Sequence, residues 1–306
     1  MTLATDRRSV LTGLGALGVM GCSQQSAQVA TVPASPDPER GAIDLSAFEA
    51  RHGGRLGFVA HDTGSNRLVA WRGDERFVYC STFKLYLSAA TLQRIQAGEE
   101  RLDRAIPITA ADMVSHAPVT EPALGSTLTT EQLMKAVVEV SDNPAANILI
   151  RELGGLDALR AWYRSIGDNS TTVDRLEPIM NRLDGDKDTI TPVQSAANLH
   201  HLLVEAGSPL TPASRTRLMH WMFASPTGAA RIKAGLPAGW QVAHKTGTGG
   251  YGPTNDIGIA YPRVGEPVVI AAYYHATSAS TETQRDAVIA AATRMALAAL
   301  GHEAAA

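Results

Sequence analysis

Four short motifs in this 306-residue chain place hydroxyl, amine and carboxylate chemistry at fixed spacings. Ser81-Thr82-Phe83-Lys84 sets a hydroxyl and an amine three residues apart; on a helix they share one face, about 4.5 Å apart along the axis. A serine hydroxyl is a weak nucleophile that needs a neighbouring base. A serine at a helix start also lies beside unpaired backbone N–H groups that can hold a developing oxyanion. Alone, the motif is weak, because an N-capping serine followed by a partly exposed lysine reads the same way. Ser141-Asp142-Asn143 follows 60 residues after Ser81 and by itself is a turn and helix start, since Pro144 suits a first helical turn. Lys245-Thr246-Gly247 runs into Thr248-Gly249-Gly250, just after a short strand expected at 241–243. Glycines there let a ligand approach the backbone, although a glycine-rich hairpin with an exposed lysine would look similar. The fourth motif, Arg175-Leu176-Glu177-Pro178-Ile179-Met180-Asn181, holds a carboxylate and an amide four residues apart. It sits in a polar stretch, residues 172–188, broken by Pro178 and Gly185. Loops that long in a compact domain are usually functional.

The surrounding pattern predicts the elements that position these motifs. A helix starts at residues 45–49. Strands at 56–60 and 67–71 flank a turn at 62–66. Residues 83–95 are apolar on nearly every side and end before Gly98, which predicts a buried helix. Helical patterns then dominate to about residue 223, including 130–140, 144–153 and 192–205. Strands return at 257–261 and 267–274, and a last helix runs from about 282 to 300. Strands at both ends with helices between predict an α/β (α+β) fold: an antiparallel sheet built from N- and C-terminal segments, flanked by helices, with an inserted all-α lobe at about 73–223. No internal repeat is visible.

Composition narrows the function classes. With 27 basic and 30 acidic residues the formal net charge is -3, which gives no footprint for nucleic acid. Two cysteines, Cys22 and Cys80, are too few for a disulfide framework. The nine histidines are scattered, and adjacent His200 and His201 would point about 100° apart on a helix, so no metal site is expected.

The N-terminus reads as a targeting segment. Arg7-Arg8 precedes an uncharged apolar run over residues 10–21, too short to span a bilayer but the length of a signal-peptide core. The arginine pair resembles a twin-arginine export signal, with Val10 in place of the usual Phe. Val19-Met20-Gly21-Cys22 resembles a bacterial lipobox, which implies a lipid anchor on Cys22; cleavage nearby by an ordinary signal peptidase is the other reading. Residues 1–22 are thus expected to be an export signal, 23–39 a Ser-, Gln- and Pro-rich tether, and 40–306 the catalytic domain.

Taken in order, Ser-x-x-Lys, Ser-Asp-Asn and Lys-Thr-Gly match the set shared by class A β-lactamases and penicillin-binding proteins, and the chain resembles the class A serine β-lactamase family from about residue 43 to 300. The Glu177/Asn181 segment resembles that family's Ω-loop and separates it from the alternative, a penicillin-binding D-Ala-D-Ala carboxypeptidase or transpeptidase. The resemblance implies hydrolysis of penicillins and some cephalosporins through an acyl-enzyme on Ser81. It implies catalytic roles for Ser81, Lys84, Ser141, Glu177, Asn181 and Lys245, with the acylation base left open between Lys84 and Glu177. Asn143, Thr246, Thr248, Arg231 and His116 would bind substrate, and the backbone N–H groups of Ser81 and Thr248 would form the oxyanion hole. Arg285 is a second candidate for the substrate carboxylate. Arg175 and Asp188 would pair across the neck of the Ω-loop. Cys80 stands where some carbapenem-hydrolysing relatives have a disulfide, but the partner position here is Gly249, so no intradomain disulfide is expected. No cofactor or metal is required. The implied setting is a monomer acting on a small-molecule β-lactam, periplasmic or secreted, or held as a membrane lipoprotein.

The twin-arginine reading is directly testable. Replacing Arg7 and Arg8 together with lysine is expected to stop export and abolish protection of the host against penicillin. Unchanged resistance would reject that export route.

Overall fold

The computed structural model describes residues 37–302 apart from Tyr251 and Ser278. The expected export signal lies outside these residues, as does the expected tether up to residue 36. The described chain opens with β1 (Glu39–Ala42), α1 (Ser46–His52), β2 (Arg55–Asp62), β3 (Arg67–Trp71) and the two-residue β4 (Phe77–Val78). A helical region follows: α2 (Phe83–Gln96), β5 (Ala105–Pro107), β6 (Thr127–Thr129), α3 (Thr130–Glu139), α4 (Asn143–Leu153) and α5 (Leu156–Ser165). Next come β7 (Thr189–Ile190), α6 (Pro192–Leu199), α7 (Pro212–Ala224) and the single turn α8 (Ile232–Gly235). The chain closes with β8 (Gln241–Thr248), β9 (Pro253–Tyr261), β10 (Val268–His275) and α9 (Glu282–Ala299).

The main sheet has six strands in the order β1-β3-β2-β10-β9-β8, so N- and C-terminal segments meet at the β2–β10 pair. It is antiparallel as expected, except that β1 runs parallel to β3. All four residues of β1 are exposed, so no apolar alternation marked this strand in the sequence. Helices cover both faces of the sheet, and the period-two alternation of strand side chains therefore feeds two cores. From β10, Val269, Ala271 and Tyr273 join the larger core shared with the helical region. Val268, Ile270, Ala272 and Tyr274 from the same strand join the second core, where α9 packs through Val288, Ile289, Ala292, Ala296 and Leu297. Those α9 residues recur every three or four positions, the stripe of a helix with one buried face.

The helix starts follow local chemistry. Thr129 and Thr281 form capping boxes with Gln132 and Gln284. Asp142, Thr191 and Thr211 cap α4, α6 and α7, each followed by a proline in the first turn. Every residue of α2 from Phe83 to Leu92 is buried, as its all-round apolar sequence predicted. Buried hydroxyls tie this helix to its neighbours: Ser195 of α6 pairs with Tyr86 (2.9 Å) and accepts from Tyr273 of β10 (2.8 Å). The helix expected over 192–205 changes character after Leu199, where His200–Val204 winds as a π-turn. The strand expected at 241–243 runs on to Thr248, because β8 pairs with β9 along its whole length; the Lys245 motif is therefore inside the strand rather than after it.

One buried carboxylate closes the segment leading into the Ω-loop. Asp168 accepts from the backbone N–H groups of Ser170 and Thr171 (2.9 Å each), the Thr171 hydroxyl (2.5 Å) and Asn198 Nδ2 (2.7 Å). Asp168→Ala would leave these donors without their acceptor and is expected to cost about 1–3 kcal/mol. The measurement is the urea midpoint at unchanged slope; an unshifted midpoint would refute this role.

Candidate active site

Ser81 lies in a 3₁₀ turn, Cys80–Thr82, that leads into α2, one step before the helix start where the sequence pattern placed it. The approach to it is fastened from two sides. Asn255 Nδ2 of β9 donates to the carbonyls of Val78 (2.9 Å) and Tyr79 (3.1 Å), and Tyr79 N donates to Asp188 O (3.2 Å). Cys80, Ser141 and His116 are three of the six non-glycine residues with positive φ among the described residues, and all three flank one cleft. Such backbone conformations persist where the surrounding structure holds them in place.

The four motifs converge. Lys84 Nζ donates to Ser81 Oγ (3.0 Å), Ser141 O (2.7 Å) and Asn143 Oδ1 (2.6 Å), and sits 3.0 Å from Glu177 Oε1. Ser81 Oγ donates to that same carboxylate oxygen at 3.3 Å. Ser141 Oγ accepts from both lysines, Lys84 at 3.3 Å and Lys245 at 3.2 Å. Both lysine side chains and the Glu177 side chain are buried. Burial lowers the Lys84 pKa, against the Glu177 carboxylate, which favours the charged form. Burial holds the Lys245 pKa well below its usual value, and the positive charge of Lys84 adds to that.

Glu177 is held by its own loop and by α4. Asn181 Nδ2 donates to Glu177 Oε2 at 2.5 Å. Asn147 brackets the backbone of Glu177: its Nδ2 donates to Glu177 O and its Oδ1 accepts from Glu177 N, both at 3.0 Å. Sequence reasoning missed Asn147, although its place one helical turn after Asn143, a polar residue in an otherwise apolar run, was a readable signal. Asp142 was also undervalued. Its carboxylate accepts from the N–H groups of Val119 (2.9 Å), Thr120 (3.0 Å) and Ala145 (2.9 Å), which locks the segment carrying His116 to the start of α4.

Ser81, His116, Ser141, Asn143, Asn181, Arg231, Thr246 and Thr248 all line a cavity of about 590 Å³. Lys84, Glu177 and Lys245 lie buried behind that lining. His116 Nε2 donates to Val140 O (2.9 Å). Asn143 Nδ2 donates to Ser115 O (2.8 Å), and its oxygen is occupied by Lys84. Arg231 reaches Thr248 Oγ1 (2.9 Å) while Asp286 holds it from behind at 2.7 Å. Arg285 does not line this cavity: it donates to Thr254 Oγ1 (3.0 Å) and Ser280 O (2.7 Å), so the second candidate for the substrate carboxylate is not placed there.

Cys80 is a buried free thiol, its pKa raised mainly by burial. A Cβ on Gly249 would stand 3.3 Å from its Sγ but only 2.6 Å from Asn181 O. The strand end and the Ω-loop therefore touch at the one position where a second cysteine would have been needed.

A family model described as the β-lactamase enzyme family matches residues 42–300. An ancestral class A β-lactamase superposes with a TM-score of 0.80 at 47% identity, over 83% of this chain and 98% of that one. The chain belongs to the class A β-lactamase family. β-Lactamase CTX-M-8 of Citrobacter amalonaticus is 40% identical over 250 residues, 81% of this chain and 85% of that protein. β-Lactamase Toho-1 of Escherichia coli is 37% identical over 294 residues, 95% of this chain and 98% of that protein. These relatives do not favour the alternative of a penicillin-binding carboxypeptidase or transpeptidase.

The Ω-loop of this β-lactamase is closed by the expected pair. Arg175 Nε lies 2.5 Å from Asp188 Oδ2, and Asp188 Oδ1 accepts from the N–H groups of Asp174 (2.8 Å) and Arg175 (3.0 Å). Asp188→Asn keeps an oxygen for those N–H groups but removes the charge that holds the guanidinium. Hydrogen exchange in residues 172–188 is expected to accelerate with little change elsewhere. Unaltered protection there would show that the pair does not hold the loop.

Proposed function

We propose that the protein hydrolyses the β-lactam amide bond of penicillins and some cephalosporins, with Ser81 as nucleophile, and so confers antibiotic resistance. The observation that carries this reading is the position of Glu177: one carboxylate oxygen meets both Ser81 and Lys84, and the other meets Asn181. Acylation alone needs a base for Ser81. Hydrolysis also needs a base that can activate a water beside the resulting ester, and a carboxylate paired with an amide supplies one. Asn181 Oδ1 is buried with no protein hydrogen-bond partner, an acceptor for the hydrogen of such a water.

The geometry supports a complete proton circuit. Ser81 Oγ bonds to the lactam carbonyl carbon and passes its proton to Glu177, the acceptor it already faces. In this reading Lys84, which faces both Ser81 Oγ and Glu177 Oε1 at 3.0 Å, serves as an ammonium that relays protons and Glu177 as the first base. The carbonyl oxygen becomes an oxyanion held by the backbone N–H groups of Ser81 and Thr248. When the C–N bond breaks, the ring nitrogen takes the Ser141 hydroxyl proton. That hydroxyl is available because Ser141 Oγ only accepts from the two lysines. Lys84 resupplies Ser141 and regains a proton from Glu177, which closes the cycle. Lys245, Thr246, Thr248 and Arg231 receive the substrate carboxylate, Asn143 the side-chain amide, and His116 borders the mouth. In deacylation Glu177 takes a proton from water, the hydroxide adds to the ester carbon, and Ser81 leaves with a proton returned to it.

We also infer the wider setting from the sequence. Arg7-Arg8 supports export to the periplasm or beyond, and Cys22 supports a lipid anchor. A monomer with no cofactor acting on a small molecule is sufficient for the chemistry described. Among the described residues no helix is long and apolar enough to cross a membrane.

Glu177→Ala is expected to slow penicillin turnover by about 10²–10⁴-fold. Mass spectrometry should show penicillin accumulating on Ser81 in that variant, and Ser81→Ala should abolish both adduct and turnover. Turnover by Glu177→Ala at the parent rate would overturn the assignment.

A further inference from the structure

One part of the cavity lining is not used by the chemistry above. Glu282 and Asp286 stand one turn apart in the first turns of α9, and both line the cavity with Arg231 and Thr248. Their environments differ. Asp286 is mostly buried and accepts from Arg231 Nε at 2.7 Å, so it already balances the guanidinium charge. Three of the remaining four Arg231 N–H groups go to Gly247 O (3.3 Å), Asn255 O (3.0 Å) and Thr248 Oγ1 (2.9 Å). Glu282 is 71% exposed and lies 3.9 Å from Arg231 Nη2, at the limit of an ion pair. It therefore contributes a carboxylate at the cavity edge whose charge Arg231 does not neutralise.

Substrate chemistry gives that charge a consequence. This step rests on the proposed β-lactam hydrolysis, in which Thr246, Thr248 and Arg231 receive the substrate carboxylate. In a cephalosporin, the ring carbon next to the one bearing the carboxylate carries the C3′ arm. With the carboxylate seated at Arg231 and Thr248, an arm directed along the same cavity lining meets Glu282.

We propose that Glu282 is a specificity-determining residue that favours cephalosporins with a cationic C3′ substituent over those with a neutral one. Its carboxylate attracts the cationic arm through solvent-exposed space, so the effect is modest and screened by salt. A Glu282 that served only the dipole of α9 would affect stability and would not distinguish the two arms.

The test uses two cephalosporins with the same thienylacetamido side chain, one with a pyridiniomethyl and one with an acetoxymethyl group at C3. kcat/KM for each is measured on the purified parent protein, Glu282→Gln and Glu282→Lys. The ratio of cationic to neutral substrate is expected to fall about two- to fivefold in Glu282→Gln, mainly through KM. It should fall further in Glu282→Lys, and the differences should shrink at about 1 M salt. Because each ratio compares the same two substrates, their different leaving groups cancel. An equal ratio in all three proteins, or a change that salt leaves untouched, overturns the proposal while leaving the hydrolase reading standing. Absence of turnover of both compounds by the parent would overturn the hydrolase reading and this inference with it.

Discussion

The contact between Lys84 and Glu177 constrains the rest of the site. Two opposite charges, both side chains fully buried, sit 3.0 Å apart. Removing such charges from water is strongly unfavourable unless geometry is good and the remaining hydrogen-bonding capacity is used. The structure meets that condition by bringing three distant segments to the pair. Ser81 comes from the turn before α2, the Ser141 carbonyl and Asn143 from the start of α4, and Asn181 from the Ω-loop. Each segment is shaped to deliver a polar atom to one buried point. The same convergence leaves the Ser81 hydroxyl between an amine and a carboxylate.

The supports behind these contacts are also buried and polar. Asp142 joins the His116 segment to α4, Asn147 clamps the Glu177 backbone, and Asp188 fastens the loop neck to Arg175 and, through Tyr79, to the approach to Ser81. Each is a multiply bonded carboxylate or amide, so loss of any one would leave buried donors unsatisfied. The positive φ angles at Cys80, Ser141 and Asp188 fall where these ties are densest. Backbone strain at the cleft is thus held by hydrogen bonds one layer behind it.

The far end of the cleft works on different terms. Arg231 is almost fully buried, with its charge met by Asp286 and three other N–H groups by two backbone carbonyls and Thr248. It shapes the end of β8 as much as it offers charge. The charge that remains exposed there is that of Glu282, a side chain of α9 outside the catalytic motifs.

The sequence by itself determined what is local. The all-round apolar pattern of residues 83–95 specified a buried α2, and short apolar runs beside turn residues specified the strands β2 and β10. Ser-x-x-Lys, Ser-Asp-Asn, Lys-Thr-Gly and the Glu177/Asn181 segment fixed which groups share a helix turn or a loop, and it was their combined resemblance to one family that pointed to the chemistry. The tertiary structure decided what depends on contacts across long stretches of chain. β1 carried no apolar signal and exists only because β3 offers it a pairing edge. β8 runs through Lys245 because β9 supplies hydrogen bonds that composition cannot reveal. Arg231 was the first candidate for a carboxylate and Arg285 the second, and the packing of α9 against β9 aims the first toward Thr248 and spends the second on Thr254. Asn147 and Asp286 likewise acquire their roles from partners 30 and 55 residues away in the chain, since a side chain's local sequence sets its type but not its neighbours.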